Sequence, residues 1–189
     1  VYDLNLEKYG YKGETDFSGA TITYLFAKQL NSRNEDLVYL ALVGSKEIPD
    51  GFLGINKELV EEAERKGYIK KKGNDYSITK LNTTLGEMFS SLQILGSVGY
   101  YSQGPEIGIK AAISGIDTSI EEKIKSLEFK RKSANKKLIE ALSKGSLKKL
   151  NRIQWFDASK FFKGMGTKVL GTFCSYLSYQ TRIIDQDKY

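Results

Sequence analysis

Seven consecutive apolar residues, Leu37–Val43 (LVYLALV), constrain this chain more than any other stretch. An element that is apolar all round must be buried all round. The run therefore belongs at the centre of a core, as a helix over about Glu35–Val43. It stops at Gly44 and turns polar through Ser45, Lys46, Glu47, Pro49 and Asp50. A buried element that delivers a short polar loop is one way for a fold to present a functional carboxylate. The same pattern fits a core helix leaving through an ordinary surface turn.

Composition removes several chemistries. The 189 residues include no histidine, so the commonest general base and the Ser-His-Asp and Cys-His pairings are excluded. One cysteine, Cys174, permits neither an internal disulfide nor a cysteine metal cluster and points to a reducing cytoplasm. Carboxylate-only metal sites stay open on these grounds. No apolar run is long enough to span a membrane, the first residues do not read as a signal peptide, and no cofactor is expected.

Along the chain, a short strand is expected at Val1–Leu4. Asp16 or Ser18 can cap a helix running to about Leu30, with Ala20, Tyr24, Ala27 and Leu30 or Gln29 on one face. Asn56 reads as the cap of a second helix whose Leu59, Val60 and Ala63 face inward. Strand, glycine turn at Gly73-Asn74, strand and helix follow, an order that resembles a winged-helix DNA-binding domain over Asn56–Phe89. Gly96, Gly99 and Gly104 interrupt the next helix and could let backbone approach a phosphate, though their spacing matches neither a Walker loop nor a dinucleotide fingerprint.

The longest helix is expected over Asp117–Gly145. Ile120, Ile124, Leu127, Ala134, Leu138 and Ala141 form one narrow seam, with Arg131 in the position an apolar residue would complete. From Glu121 to Arg152 there are eleven Lys and Arg against four Glu, a local charge of +7 in a chain of net charge +6. The basic excess is therefore local, which suits a nucleic-acid backbone and equally a solvated helix face. A strand at Ile153–Phe156, a helix over Thr167–Leu177 and a strand near Arg182–Ile184 complete the reading.

In this order the segments resemble the central part of the DHH phosphoesterases of RecJ type. The similarity lies in Asn5, Gly13, Ser18-Gly19-Ala20, Tyr24 and Ala27, then in LVYLALVGSKEIPD against "ALVGA-x-GD", and Gly54-Ile55-Asn56-Lys57-Glu58 against "GLNRE". LGSVGYYSQGPEIGIKAAIS is similar to the segment that follows, and the basic helix to the family's connecting helix. The departures matter as much. The resemblance calls for a metal-holding carboxylate where this chain has Ile48, and Glu47 stands for a glycine beside it; without histidine the DHH motif is absent.

The resemblance implies an α/β, mostly helical protein. Residues 1–116 would be the remainder of a degenerate DHH-type parallel-sheet domain with a helical middle, 117–150 a long basic connecting helix, and 151–189 the start of a second α/β unit. It implies no catalytic, cofactor or metal residues, and a degenerate loop at Ser45, Lys46, Glu47, Ile48 and Asp50. By resemblance to inactive cell division control protein 45-type factors, the expected partners are the GINS complex and the MCM helicase at cytoplasmic, nucleoid-associated replication forks, with no membrane contact. Single-stranded DNA would be a further contact, its backbone met by Lys130, Arg131, Lys132, Lys136, Lys137, Lys148, Lys149 and Arg152. The alternative is a winged-helix transcription regulator on duplex DNA.

Overall fold

The structure, a computed structural model, describes residues 5–13 and 15–188. Local chemistry starts the first helix. The Thr21 N–H donates to the Ser18 hydroxyl and the Ser18 N–H donates to the Thr21 hydroxyl, each at 3.1 Å. This reciprocal cap opens α1 (Gly19–Leu30). Asp16, the other candidate cap, instead accepts from the Lys12 N–H and the Thr15 hydroxyl, both at 2.9 Å, and folds the preceding loop. The buried face of α1 centres on Thr21 and Tyr24, while Leu30 is exposed.

The apolar run forms α2 (Val38–Ser45), entered from a 3-10 turn at Ser32–Leu37. Val38, Tyr39, Ala41, Leu42 and Val43 are all buried, as a helix apolar on every side requires. Gly44 is the point of closest approach to α1: a Cβ there would collide with the Cβ of Ala20. The glycine that ends the run is thus a packing position. The α3 helix (Gly54–Arg65) begins after Leu53, two residues earlier than the expected cap. Asn56 is therefore inside it, wholly buried. Leu59, Val60 and Ala63 face the core as their spacing predicts.

A three-stranded sheet follows, β1 (Ile69–Lys72), β2 (Asp75–Ile78) and β3 (Thr83–Thr84), in that order and antiparallel throughout. Ile69 faces Ile78 and both are buried, which sets the register. Then come α4 (Leu85–Ser97), α5 (Gly104–Ser114), α6 (Thr118–Ala141), a hairpin of β4 (Lys148–Lys149) and β5 (Gln154–Trp155), and α7 (Lys168–Leu177). The chain is thus mostly helical α/β with small antiparallel sheets. Among the described residues there is no parallel pairing, which corrects the parallel-sheet expectation: each strand meets its neighbour through a short turn, and no crossover joins strands. The strand expected at Val1–Leu4 lies outside the described residues. The one expected near Arg182–Ile184 is a turn, in which the N–H groups of Ile183 and Ile184 both return to the Gln180 carbonyl.

Two units emerge. The first holds residues up to Ser90 with Ala112–Ile116, and the second holds Ser91–Ala111 with residues from Asp117 on. In the first, Tyr39 donates its buried hydroxyl to the Ala112 carbonyl at 2.9 Å. In the second, Ile120, Leu127, Ala134 and Leu138 of α6 are buried along the seam, with Phe173 of α7 among the most buried side chains. Gly99 and Gly104 serve backbone packing. The Gly104 N–H donates to the Gly99 carbonyl at 2.9 Å, and a Cβ on either residue would run into the Leu95 carbonyl. That crowding accounts for these two glycines without a phosphate.

Candidate functional site

The loop after α2 is largely taken up in holding its own unit together. Ser45 is 1% exposed, and its hydroxyl lies within 2.9 Å of the Ala41 carbonyl, the Ser18 hydroxyl and Asn56 Oδ1. Asn56 Oδ1 also accepts from the Thr21 hydroxyl at 2.6 Å. Ser18, Thr21, Ser45 and Asn56 thus form a polar knot joining α1, α2 and α3. The knot engages the Asn56 Oδ1 twice and leaves the buried Nδ2 without a partner among the described residues, so it rigidifies the core through the carbonyl side of the amide. Sequence reasoning assigned Ser18 to a cap and Ser45 to a loop, because short polar residues near helix starts carry the same signature in both roles.

Lys46 turns to the hairpin. Its ammonium lies 3.3 Å from Asp75 Oδ1 and 5.7 Å from the centre of the Phe52 ring. The other Asp75 oxygen accepts from the Gly86 N–H at 2.9 Å. Asp75 thereby links the loop, the β2 strand and the start of α4, a role with no signal in the sequence. Burial works against its charge, but the Gly86 and Tyr76 N–H groups, the Thr84 side chain and the Lys46 ammonium outweigh it and hold the carboxyl below its ordinary 3.8. A lowered carboxyl contributes stability above its unfolded pKa and loses it as pH falls through the folded value. Asp75→Asn should therefore cost about 1–2 kcal/mol near neutrality. The gap between parent and variant in urea melts should close toward acid; a gap independent of pH would refute the link.

Beyond Lys46 the loop borders an open cleft of about 500 Å3 whose walls include Phe17, Ser18, Gly44, Glu47, Ile48 and Asp50. Asp50 is exposed at the rim with φ 65, a left-handed conformation that Asp adopts more readily than most residues. Ile48, where the resemblance calls for a carboxylate, contributes aliphatic wall. Among the described residues no three His, Cys, Asp or Glu side chains converge closely enough to hold a metal ion.

The basic residues do not form one strip. Lys130 and Lys137 share one face of α6, whereas Lys132 and Lys136 share another. Lys132 pairs with Glu128 at 2.9 Å, and Lys130 reaches the Gly164 carbonyl at 3.4 Å. Arg131 lies on the seam, as its spacing predicts; it is part-buried, and its Nε is shielded from solvent. Lys148, Lys149 and Arg152 are exposed on the β4–β5 hairpin.

That hairpin has two unlike faces. Directly opposed residues project to the same side, so Lys148 accompanies Trp155, and Lys149 accompanies Gln154. The Gln154 face is closed by residues 185–188: its Nε2 donates to the Asp185 and Lys188 carbonyls at 2.7 and 3.1 Å, and its Oε1 accepts from the Asp185 N–H at 2.9 Å. On the other face Trp155, 52% exposed, walls a groove of about 590 Å3 with Phe156, Met165, Leu170 and Cys174. Strand register sets Trp155 beside Lys148, a pairing that the expected strand at Ile153–Phe156 does not by itself reveal. Set against family models, curated proteins and solved structures, the chain matches none of them.

Proposed function

We propose that this chain is a non-catalytic RecJ-like replication factor that binds the GINS complex and helps assemble or activate the MCM helicase at cytoplasmic, nucleoid-associated forks. The observation that carries the reading is the loop after α2. Where the resemblance calls for a metal-holding carboxylate, Ile48 forms cleft wall, while Ser45 and Lys46 are bound into the knot and to Asp75. A two-metal phosphodiesterase needs converging anionic ligands, so nuclease activity is not expected. Single-stranded DNA is the nucleic acid that suits the second unit. Trp155 offers a stacking surface, and Lys148 beside it a phosphate contact.

The winged-helix alternative fits the order of α3, β1 and β2 and the exposed Lys70, Lys71 and Lys72 of β1, but not the charge of α3. The exposed charged residues of α3 are Lys57, Glu58, Glu61, Glu64 and Arg65, a net acidic surface to set against phosphates. The test is size-exclusion chromatography of the protein with the GINS complex from the same source, alongside single-stranded and duplex DNA titrations at two salt concentrations. A stoichiometric GINS complex with weak, steeply salt-dependent DNA binding is the expected result. No GINS binding, with tight sequence-dependent duplex binding, would overturn the proposal in favour of the regulator.

A further inference from the structure

Arg131 is the only charged residue on the apolar seam of α6. It lines a cavity of about 190 Å3 within the second unit, together with Ser97, Asn135, Thr172, Phe173 and Tyr176. Among the described residues no carboxylate lines this cavity. Glu128, which Arg131 influences from one turn away, is engaged with Lys132 at 2.9 Å. Two shielded atoms here lack partners among the described residues: the donor Arg131 Nε and the acceptor Asn135 Oδ1. A guanidinium has five N–H donors and keeps its charge. The side chain as a whole is part-buried, but its enclosed Nε is a donor left without a partner, which is costly. A direct bond between Arg131 and Asn135 would engage one donor and leave the charge uncompensated.

We propose that this cavity binds free phosphate. The ion resolves both orphans at once, because near neutral pH phosphate keeps at least one O–H. Its charged oxygens accept from the Arg131 fork, and its O–H donates to Asn135 Oδ1. Tyr176 also lines the cavity. Sulfate, similar in size and shape but without a proton, can satisfy Arg131 but reaches Asn135 only if the amide turns its Nδ2 to the ion. The site therefore prefers phosphate to sulfate. It is independent of GINS binding and of the exposed lysines.

The test is titration of the intact chain with phosphate, sulfate and chloride at matched ionic strength, followed by amide chemical shifts and Tm. Saturable phosphate binding at least tenfold tighter than sulfate is expected, with shifts on α6 and α7. Arg131→Gln should weaken phosphate more than tenfold. Asn135→Ala should reduce the preference for phosphate over sulfate while keeping binding, and it carries the test if Arg131→Gln does not fold. Equal responses to all three salts would mean a water-filled cavity and overturn the proposal. So would phosphate binding that Arg131→Gln leaves unchanged.

Discussion

Asn56→Ala should be among the most damaging single substitutions in the first unit, costing about 3 kcal/mol. The change removes an acceptor at 2.6 Å from the Thr21 hydroxyl and 2.9 Å from that of Ser45, and it opens a void where Asn56 is wholly buried. Thr21→Val, which keeps the shape and removes one hydroxyl, should cost about 1–2 kcal/mol. The probe matters. The single tryptophan, Trp155, belongs to the second unit and is a poor reporter for the first. Amide exchange along α2 is the direct readout. A loss of about 3 kcal/mol speeds exchange there by roughly a hundredfold when it proceeds through opening of this unit. An Asn56→Ala protein within about 0.5 kcal/mol of its parent, as for a surface change, would mean that the knot holds nothing together.

The second large effect concerns single-stranded DNA. Trp155→Ala should weaken binding by about 1–3 kcal/mol, the worth of stacking one base on an aromatic ring. Its salt dependence should stay as in the parent, since no phosphate contact is lost. Lys148→Ala should do the reverse, with a smaller loss of affinity and a salt slope reduced by about 0.7, the value for one single-strand phosphate. Arg131→Gln should change neither, because Arg131 lies on the seam. If Trp155→Ala binds as the parent does, the groove beside β5 is not a base site. A groove that then takes up a GINS subunit would be a protein-docking surface.

The readings that held rest on interactions close in sequence. Ser18 caps α1 because its partner Thr21 is three residues away, and Gly73 turns the β1–β2 hairpin because only its immediate neighbours decide that. The seam of α6 was legible because a 24-residue helix repeats its signal many times. What was misread depends on distant partners. Asn56 looks the same whether it caps a helix or sits inside one, and only Thr21 and Ser45, 35 and 11 residues away, decide between the two. The glycines at 99 and 104 suggested a ligand, whereas their neighbour is the Leu95 carbonyl. Ile183-Ile184 has strand composition, but without a neighbouring strand to pair with, the chain closes into a turn on Gln180. At the loop, sequence located the position and misjudged the side chains: Asp75, which holds Lys46, stands 29 residues further on.

Gln154 fastens residues 185–188 with a neutral amide that uses both its donor and its acceptor. An amide has no proton to gain or lose between acid and alkaline solution, so these three bonds do not themselves change with pH. The clasp in the first unit, through Asp75, is a carboxylate held below its ordinary range, and it weakens as acid protonates it. Lowering the pH should therefore peel the molecule in order, loosening the Lys46 loop while the closed face of the β4–β5 hairpin stays shut. An acid-stabilised intermediate with native Trp155 emission and a released first-unit loop is the species this asymmetry would populate.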